Sequence, residues 1–466
     1  MSECRPRRPT GNRLWRPLLI LFLTASGFLL LSPSAALAAS TLGRSRAVIA
    51  PPPVAAGGGA DGLAIDAGTH SLYTVDQGGS ISVLDTGQCN ATAVQGCSTE
   101  RVGTVSLPPG SNPRGIAIDS NTDTVYVVDA GLDAISVING ATCNATDRSG
   151  CTPTSTLLAD PSGPAGVRLD SATCQVPAAS GCGGTVKTVH VGTSPDGIAV
   201  DPVTDTVYVT NQGDSPRHPG HTVSVIDGAT CNGVQSSGCG RVATLEVGRG
   251  PGGIALDDAT RTAYTVNQAA GTVSVIDMAI CDATDTSGCG QKTPTIAVGK
   301  SPLVLTIDPE LQTAYVASNL DDTLSVIDLH AASCAVATAD GCRRVSRTAR
   351  FSADASGVAV DTANRSVYAV NRDPGTVSVI DAATCNSDHM AGCARPAATM
   401  HVGTDPAGVA IDQATNTVYV ADNGGATVSV IDAAMCNATD HAGCGRTPAT
   451  VTVGRNPFGI GIDHGE

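Results

Sequence analysis

Apolar and polar positions along this chain fall into short runs of four to six residues, and the runs recur in groups of four. One group reads Gly197-Ile198-Ala199-Val200-Asp201, Val207-Tyr208-Val209-Thr210-Asn211, Val223-Ser224-Val225-Ile226-Asp227 and Ala243-Thr244-Leu245-Glu246-Val247-Gly248. Each run is rich in β-branched side chains and bounded by Gly, Pro, Asn or Asp, a pattern that predicts short strands joined by turns. Val223-Ser224-Val225 alternates with period two, as a strand with one buried face does. No window sustains the 3.6-residue period of a helix, and Gly or Pro breaks the chain about every ten residues.

The groups are copies of one unit. All seven tyrosines occupy a single repeat position: Tyr73, Tyr126, Tyr208, Tyr264, Tyr315, Tyr368 and Tyr419. Their spacings are 51 to 56 residues except for 82 between Tyr126 and Tyr208. The units open at Gly62, Gly115, Gly197, Gly253, Leu303, Gly357 and Gly408. Four strands per unit and seven units predict an all-β fold, a β-propeller of seven four-stranded blades. The long interval holds an extra fragment, residues 161–184, that resembles a copy without its two middle strands. Seven blades with an insertion is the first reading, and eight with one degenerate blade the alternative. Gly459-Ile460-Gly461-Ile462-Asp463 repeats only a first strand, and Ala47-Val48-Ile49-Ala50 resembles only a last one. Leftover strands of this kind are what ring closure by pairing of the termini requires.

Composition sharpens the picture. Charged residues make up 15% and aromatics 3%, so the core must be aliphatic. Arg5, Arg7, Arg8, Arg13 and Arg16 precede an apolar stretch from Leu18 to Leu31 and a small-residue site at Ala36-Leu37-Ala38, the layout of a secretion signal. An uncleaved anchor is the competing reading of that segment, and no later segment is apolar enough to span a membrane. The expected organisation is a signal peptide at 1–38, a linker with a candidate closing strand at 39–61, and one propeller at 62–466. A degenerate extra repeat is expected near 153–192. The chain is then secreted or cell-surface. Removing five arginines and Glu3 from the formal charge of −15 leaves −19, which repels phosphate backbones and argues against nucleic acid as a partner.

Sixteen of the 17 cysteines form eight C-x7-C pairs. They are Cys89 and Cys97, Cys143 and Cys151, Cys174 and Cys182, Cys231 and Cys239, Cys281 and Cys289, Cys334 and Cys342, Cys385 and Cys393, and Cys436 and Cys444. Each pair lies between the third and fourth strands of its unit. An even count behind a secretion signal predicts disulfides. Zinc sites use closer pairs and gather four ligands in one place. Each bridge closes a polar loop of about nine residues and is expected to contribute roughly 2–3 kcal/mol.

Runs such as Gly408-Val409-Ala410-Ile411-Asp412, Val207-Tyr208-Val209-Thr210-Asn211, Thr427-Val428-Ser429-Val430-Ile431-Asp432 and Thr450-Val451-Thr452-Val453-Gly454 resemble the YVTN-type β-propeller repeats, relatives of the lactonase-like propellers. The cysteine loops are an addition to the plain repeat. The resemblance implies that turns after first and third strands share one face, and turns after second and fourth strands the other.

On that second face the repeat gathers Asp76, Asp129, Asn211, Asn267, Asn319, Asn371 and Asp422. Asp76, Asn211, Asn267, Asn319, Asn371 and Asp422 are the candidate binding residues, able to hydrogen-bond a polar ligand or hold a divalent cation such as calcium. The competing reading is that Asn and Asp simply suit turns after strands. No catalytic residue is assigned and no cofactor is expected. There is no G-x-S-x-G elbow, no H-E-x-x-H, and few glutamates. The loop at 213–221, with His218 and His221, departs from the repeat and is a candidate binding elaboration. Asn90, Asn144 and Asn437 lie in N-A-T sequons. The expected function is a secreted, non-catalytic propeller that binds an extracellular protein or glycan. The alternative is a lactonase-like hydrolase with its site at the mouth of the central channel.

Overall fold

Each group of four runs closes on itself as one antiparallel sheet in up-and-down order, and seven such sheets form a propeller. The structure is a computed structural model. It describes residues 63–453 apart from 67, 96, 98–102, 148, 150, 152–185, 216, 330–346 and 351–353, together with Pro457. The blades span residues 63–106, 113–190, 195–246, 251–297, 302–350, 355–401 and 406–452. Blade 3 is typical, with strands Pro195–Asp201, Thr206–Asn211, Thr222–Asp227 and Val242–Glu246. Tyr208 lies opposite Ala199 on the first strand and Val225 on the third. Helical structure is confined to short 3-10 turns such as those at Ala391–Ala394 and Asn423–Gly425 among the described residues.

Second strands are buried at nearly every position because a neighbouring blade covers each face. Fourth strands are short and bury a single residue each where their side chains are described. Thr295–Ala297 buries only its central Ile296. Short polar edges of this kind resist pairing with other chains. First strands contact one another all the way round the ring. Their third residue explains the recurrent glycine. A Cβ on Gly197 would stand 2.5 Å from the Gly252 carbonyl, and one on Gly115 would stand 2.6 Å from the Asp196 carbonyl. The inner strands therefore meet backbone against backbone.

The repeated tyrosine is a latch between blades. The hydroxyls of Tyr73, Tyr126 and Tyr208 each donate to the carbonyl of the first cysteine of the next blade, Cys143, Cys231 and Cys281, all at 2.8 Å. Tyr315 and Tyr368 reach Cys385 and Cys436 in the same way at 2.6 and 2.8 Å. Tyr419 reaches Cys89 at 2.8 Å and so joins blade 7 to blade 1. Burial pushes these phenols well above the ordinary tyrosine range, so they stay protonated donors. Tyr264 is buried too, and its counterpart loop around Cys334 lies outside the described residues.

Ring closure uses both ends of the chain. Pro457 pairs with Asp76. Pro195 faces Asn211, Pro251 faces Asn267 and Pro406 faces Asp422 in the same register. Blade 1 thus takes the opening residue of its first strand from the C-terminal end and the rest, Leu63–Asp66, from the N-terminal side. Side chains of blades 1 and 7 share one core, with Ile65, Leu72 and Leu84 packed among Val418, Val420 and Ile431.

The blade count is seven. The third strand of blade 2, Ala134–Asn139, pairs directly with Lys187–His190 as its fourth. The extra repeat fragment therefore enters between the third and fourth strands of blade 2, and residues 152–185 lie outside the described residues. The segment 1–38, expected to be a signal peptide, and the stretches 47–50 and 459–463 lie outside them too. Among the described residues no helix is long and apolar enough to cross a membrane.

Candidate functional site

The Asn and Asp residues that end the second strands turn inward. Asp76, Asp129, Asn211, Asn267, Asn371 and Asp422 are each at most 2% exposed. Asn211 Nδ2 donates to Thr222 Oγ1 at 3.0 Å and Ser224 Oγ at 3.1 Å, and its Oδ1 accepts the Gly192 N–H at 3.0 Å. Asn267 and Asn371 donate to the same pair of hydroxyls in their own blades. Where the residue is Asp the polarity reverses. Asp422 accepts from Thr427 and Ser429, and from the Gly403 N–H at 2.9 Å, while Asp76 accepts from Ser80 and Ser82. These bonds clip the second strand to the third, and in blades 3 and 7 also to the incoming turn. Asn319 sits elsewhere: Ser318 occupies the equivalent register opposite Thr323. Asn319 is half-buried and donates to Asp354 at the entrance of blade 6. The side chains are therefore distributed blade by blade and are not brought together.

The cysteine loops are as regular. Six disulfides are formed, Cys89–Cys97, Cys143–Cys151, Cys231–Cys239, Cys281–Cys289, Cys385–Cys393 and Cys436–Cys444. Cys174, Cys182, Cys334 and Cys342 lie outside the described residues. The Asn after the first cysteine clamps its loop. Asn144 Nδ2 donates to the Gly140 carbonyl at 2.8 Å, and Oδ1 accepts the N–H groups of Thr146 and Asp147 at 2.8 and 2.7 Å. Asn90 and Asn437 repeat this arrangement. All three sequon asparagines are buried with the amide nitrogen already donated. The N-A-T pattern here is a turn device. The loop also reaches the neighbouring blade: the N–H of Ala145 donates to Ser71 Oγ at 2.7 Å, and that of Ala438 to Ser366 Oγ at 2.8 Å.

Variation concentrates at one place on the opposite face, where the first strands begin. The residue after the strand-opening position is Arg114, Asp196, Gly252, Leu303, Ser356 or Ala407 in blades 2 to 7. Arg114 Nη1 lies 2.6 Å from Asp196 Oδ1 and 3.2 Å from Gln212 Oε1. Gln212 Nε2 donates to Asp196 Oδ2 at 3.1 Å. A Cβ on Gly252 would stand 2.9 Å from Gln268 Nε2 and 3.3 Å from Asp196 Oδ2, so the missing side chain leaves room for Gln268 beside the same carboxylate. The Asp196 side chain is 3% exposed and that of Arg114 33%. A nearly buried carboxylate held by an arginine and the Gln212 carboxamide joins blades 2 and 3 at the channel mouth, with Gln268 of blade 4 beside them. The irregular 213–221 loop springs from Gln212 and folds back on it, the Gly220 N–H donating to the Gln212 carbonyl at 2.6 Å. Reading down the column after the strand-opening residue would have exposed this cluster in the sequence, because that column changes in charge and size while the run after it stays small or apolar up to its closing Asp in most blades.

A second charged joint lies on the cysteine-loop face. Arg261 Nη1 is 2.6 Å from Asp201 Oδ2 in blade 3, and Nη2 is 3.2 Å from Asp282 Oδ2, where five other loops carry Asn90, Asn144, Asn232, Asn386 and Asn437. Nearby, burial and then the Asp201 charge push the Asp258 carboxyl up to about 6. Among the described residues no group of three His, Cys, Asp or Glu is arranged to hold a metal ion.

No family model and no curated relative matches the chain. Solved structures match in fold. Hydrazine synthase of Kuenenia stuttgartiensis superposes with a TM-score of 0.54 at 15% identity, over 81% of this chain and 96% of that chain. A functionally unknown protein from Desulfotomaculum acetoxidans gives 0.50 at 14% identity, over 82% and 98%. Streptogramin B lyase gives 0.47 at 10% identity, over 78% and 90%. At such identities the likeness is one of fold alone.

Proposed function

We propose that this chain is a secreted, non-catalytic propeller that binds a polypeptide segment of an extracellular partner at the mouth of its channel, through Arg114, Asp196, Gln212 and Gln268. One observation carries the reading: an arginine, a carboxylate and two carboxamides from three blades lie together where other blades present Leu303, Ser356 and Ala407. Carboxamides both donate and accept, which suits peptide backbone. All seven tyrosines are buried, so among the described residues no exposed aromatic offers a stacking platform for sugar rings. The disulfides suit an oxidising compartment, in keeping with the signal-like N-terminal segment and the YVTN-type resemblance of the repeat.

The test is selection of peptides from a phage-displayed library on the folded, oxidised chain, followed by titration against variants. Gln268→Ala and Arg114→Ala are each expected to weaken the selected peptide about tenfold or more. His441→Ala on the opposite face is expected to leave it unchanged. Selected peptides indifferent to both mouth variants, or no selected peptide at all, would overturn the reading. A polysaccharide array and lactone and ester substrates run alongside. A Gln268-dependent glycan signal would reassign the ligand, and Arg114-dependent turnover would make the chain a hydrolase.

A further inference from the structure

We propose that Asp129 is a proton-binding site built into blade 2, which makes the fold firmer in acid than at neutral pH. Asp129 ends the strand Thr124–Asp129 and is wholly buried. Its Oδ2 accepts from Ser136 Oγ at 2.6 Å. Its Oδ1 is sealed from solvent and meets no donor among the described residues.

The turn before the blade supplies the reason. In blades 3 and 7 the glycine of the entering turn, Gly192 or Gly403, donates its N–H to the matching Oδ1. That turn reads Val191-Gly192-Thr193-Ser194-Pro195 in blade 3. The turn entering blade 2 reads Leu107-Pro108-Pro109-Gly110-Ser111-Asn112-Pro113, two residues longer, with prolines following its leucine. Proline has no N–H to give. Ser111 is buried as well and its Oγ also lacks a partner.

Among the described residues no charged group compensates. Asp129 is packed by the first strand Pro113–Asp119, the third strand Ala134–Asn139 and the 107–112 turn. The nearest charged residues there, Arg114 and Asp133, turn to Asp196 and to the Ser194 N–H. Burial is the dominant influence and pushes the Asp129 carboxyl up to about 6, with the Ser136 hydroxyl opposing it. A carboxyl raised in the folded state stabilises the fold fully below its unfolded value near 4, and that stabilisation is lost as pH rises through about 6. Blades 3, 4 and 6 carry Asn211, Asn267 and Asn371 here, the neutral isostere.

The experiment compares the melting temperature of the full oxidised chain with that of Asp129→Asn at about pH 4.5 and about pH 8. Asp129→Asn is expected to melt about 2–5 °C higher at the upper pH and within about 1 °C at the lower. A second variant replaces residues 107–113 by the blade 3 turn and restores the glycine N–H. In a 13C titration of the carboxyls, it is expected to bring the Asp129 signal, expected near 6 in the wild-type chain, back toward 4. Asp258 titrates in the same range, and only the Asp129 signal is absent from Asp129→Asn. Equal shifts of Asp129→Asn at both pH values, or no carboxyl near 6 assignable to Asp129, would overturn the proposal.

Discussion

The face that carries the cysteine loops and the face where the first strands begin come from the same repeat, yet they vary in opposite ways. On the cysteine face the disulfide, the loop-clamping Asn and the tyrosine-to-cysteine-carbonyl bond recur blade after blade. On the other face the residue after the strand-opening position changes from Arg114 to Asp196 to Gly252 to Leu303. A ring needs the same joint seven times, so what recurs holds blades together. A binding site needs unlike groups in one place, so what departs from the repeat is where chemistry is to be sought.

The largest break in that contrast is reduction of the disulfides. Each constrains a loop worth roughly 2–3 kcal/mol, so full reduction is expected to lower the melting temperature by more than about 10 °C. An unchanged melting temperature would show that the loops do not hold the ring. Next comes Asn211→Ala, which removes two donated bonds and strands the Gly192 N–H. It should cost about 2–4 kcal/mol by denaturant unfolding, against at most about 1 kcal/mol for Asn319→Ala, which lies outside that register. Tyr208→Phe should cost about 1–2 kcal/mol, because the Cys281 carbonyl is left buried without its donor. The smallest expected effect is none at all. Chain secreted from a glycosylating host should carry no glycan mass at Asn90, Asn144 or Asn437, and occupancy at any of them in folded protein would contradict the clamp geometry.

The fold was legible because a period-two pattern, a fixed tyrosine and a fixed cysteine pair all repeat with the same interval. The cysteine pairs that fall on described residues form disulfides as their spacing implies. Other parts were not legible, for physical reasons. Side-chain direction at a strand end depends on twist and on the turn opposite. Asp76 and Asn211 therefore read in sequence as candidate ligands or as turn residues after strands, and their bonds to hydroxyls of the third strand come into view only with the fold. Asn319 matched its neighbours as a residue type while sitting one position past Ser318. The closing contribution of Pro457 depends on a register across almost the whole chain, which no local pattern encodes. Arg114 and Asp196 are 82 residues apart, and only the ring brings them within 2.6 Å.

The most direct test pairs Gln268→Ala with Asn211→Ala and measures two quantities on each, the melting temperature and the affinity for a library-selected peptide. The account predicts that Gln268→Ala loses affinity about tenfold while its melting temperature stays within about 1 °C, and that Asn211→Ala loses several degrees while the affinity of the folded fraction holds. Gln268→Ala with wild-type affinity, or Asn211→Ala that weakens the peptide at unchanged stability, would contradict it.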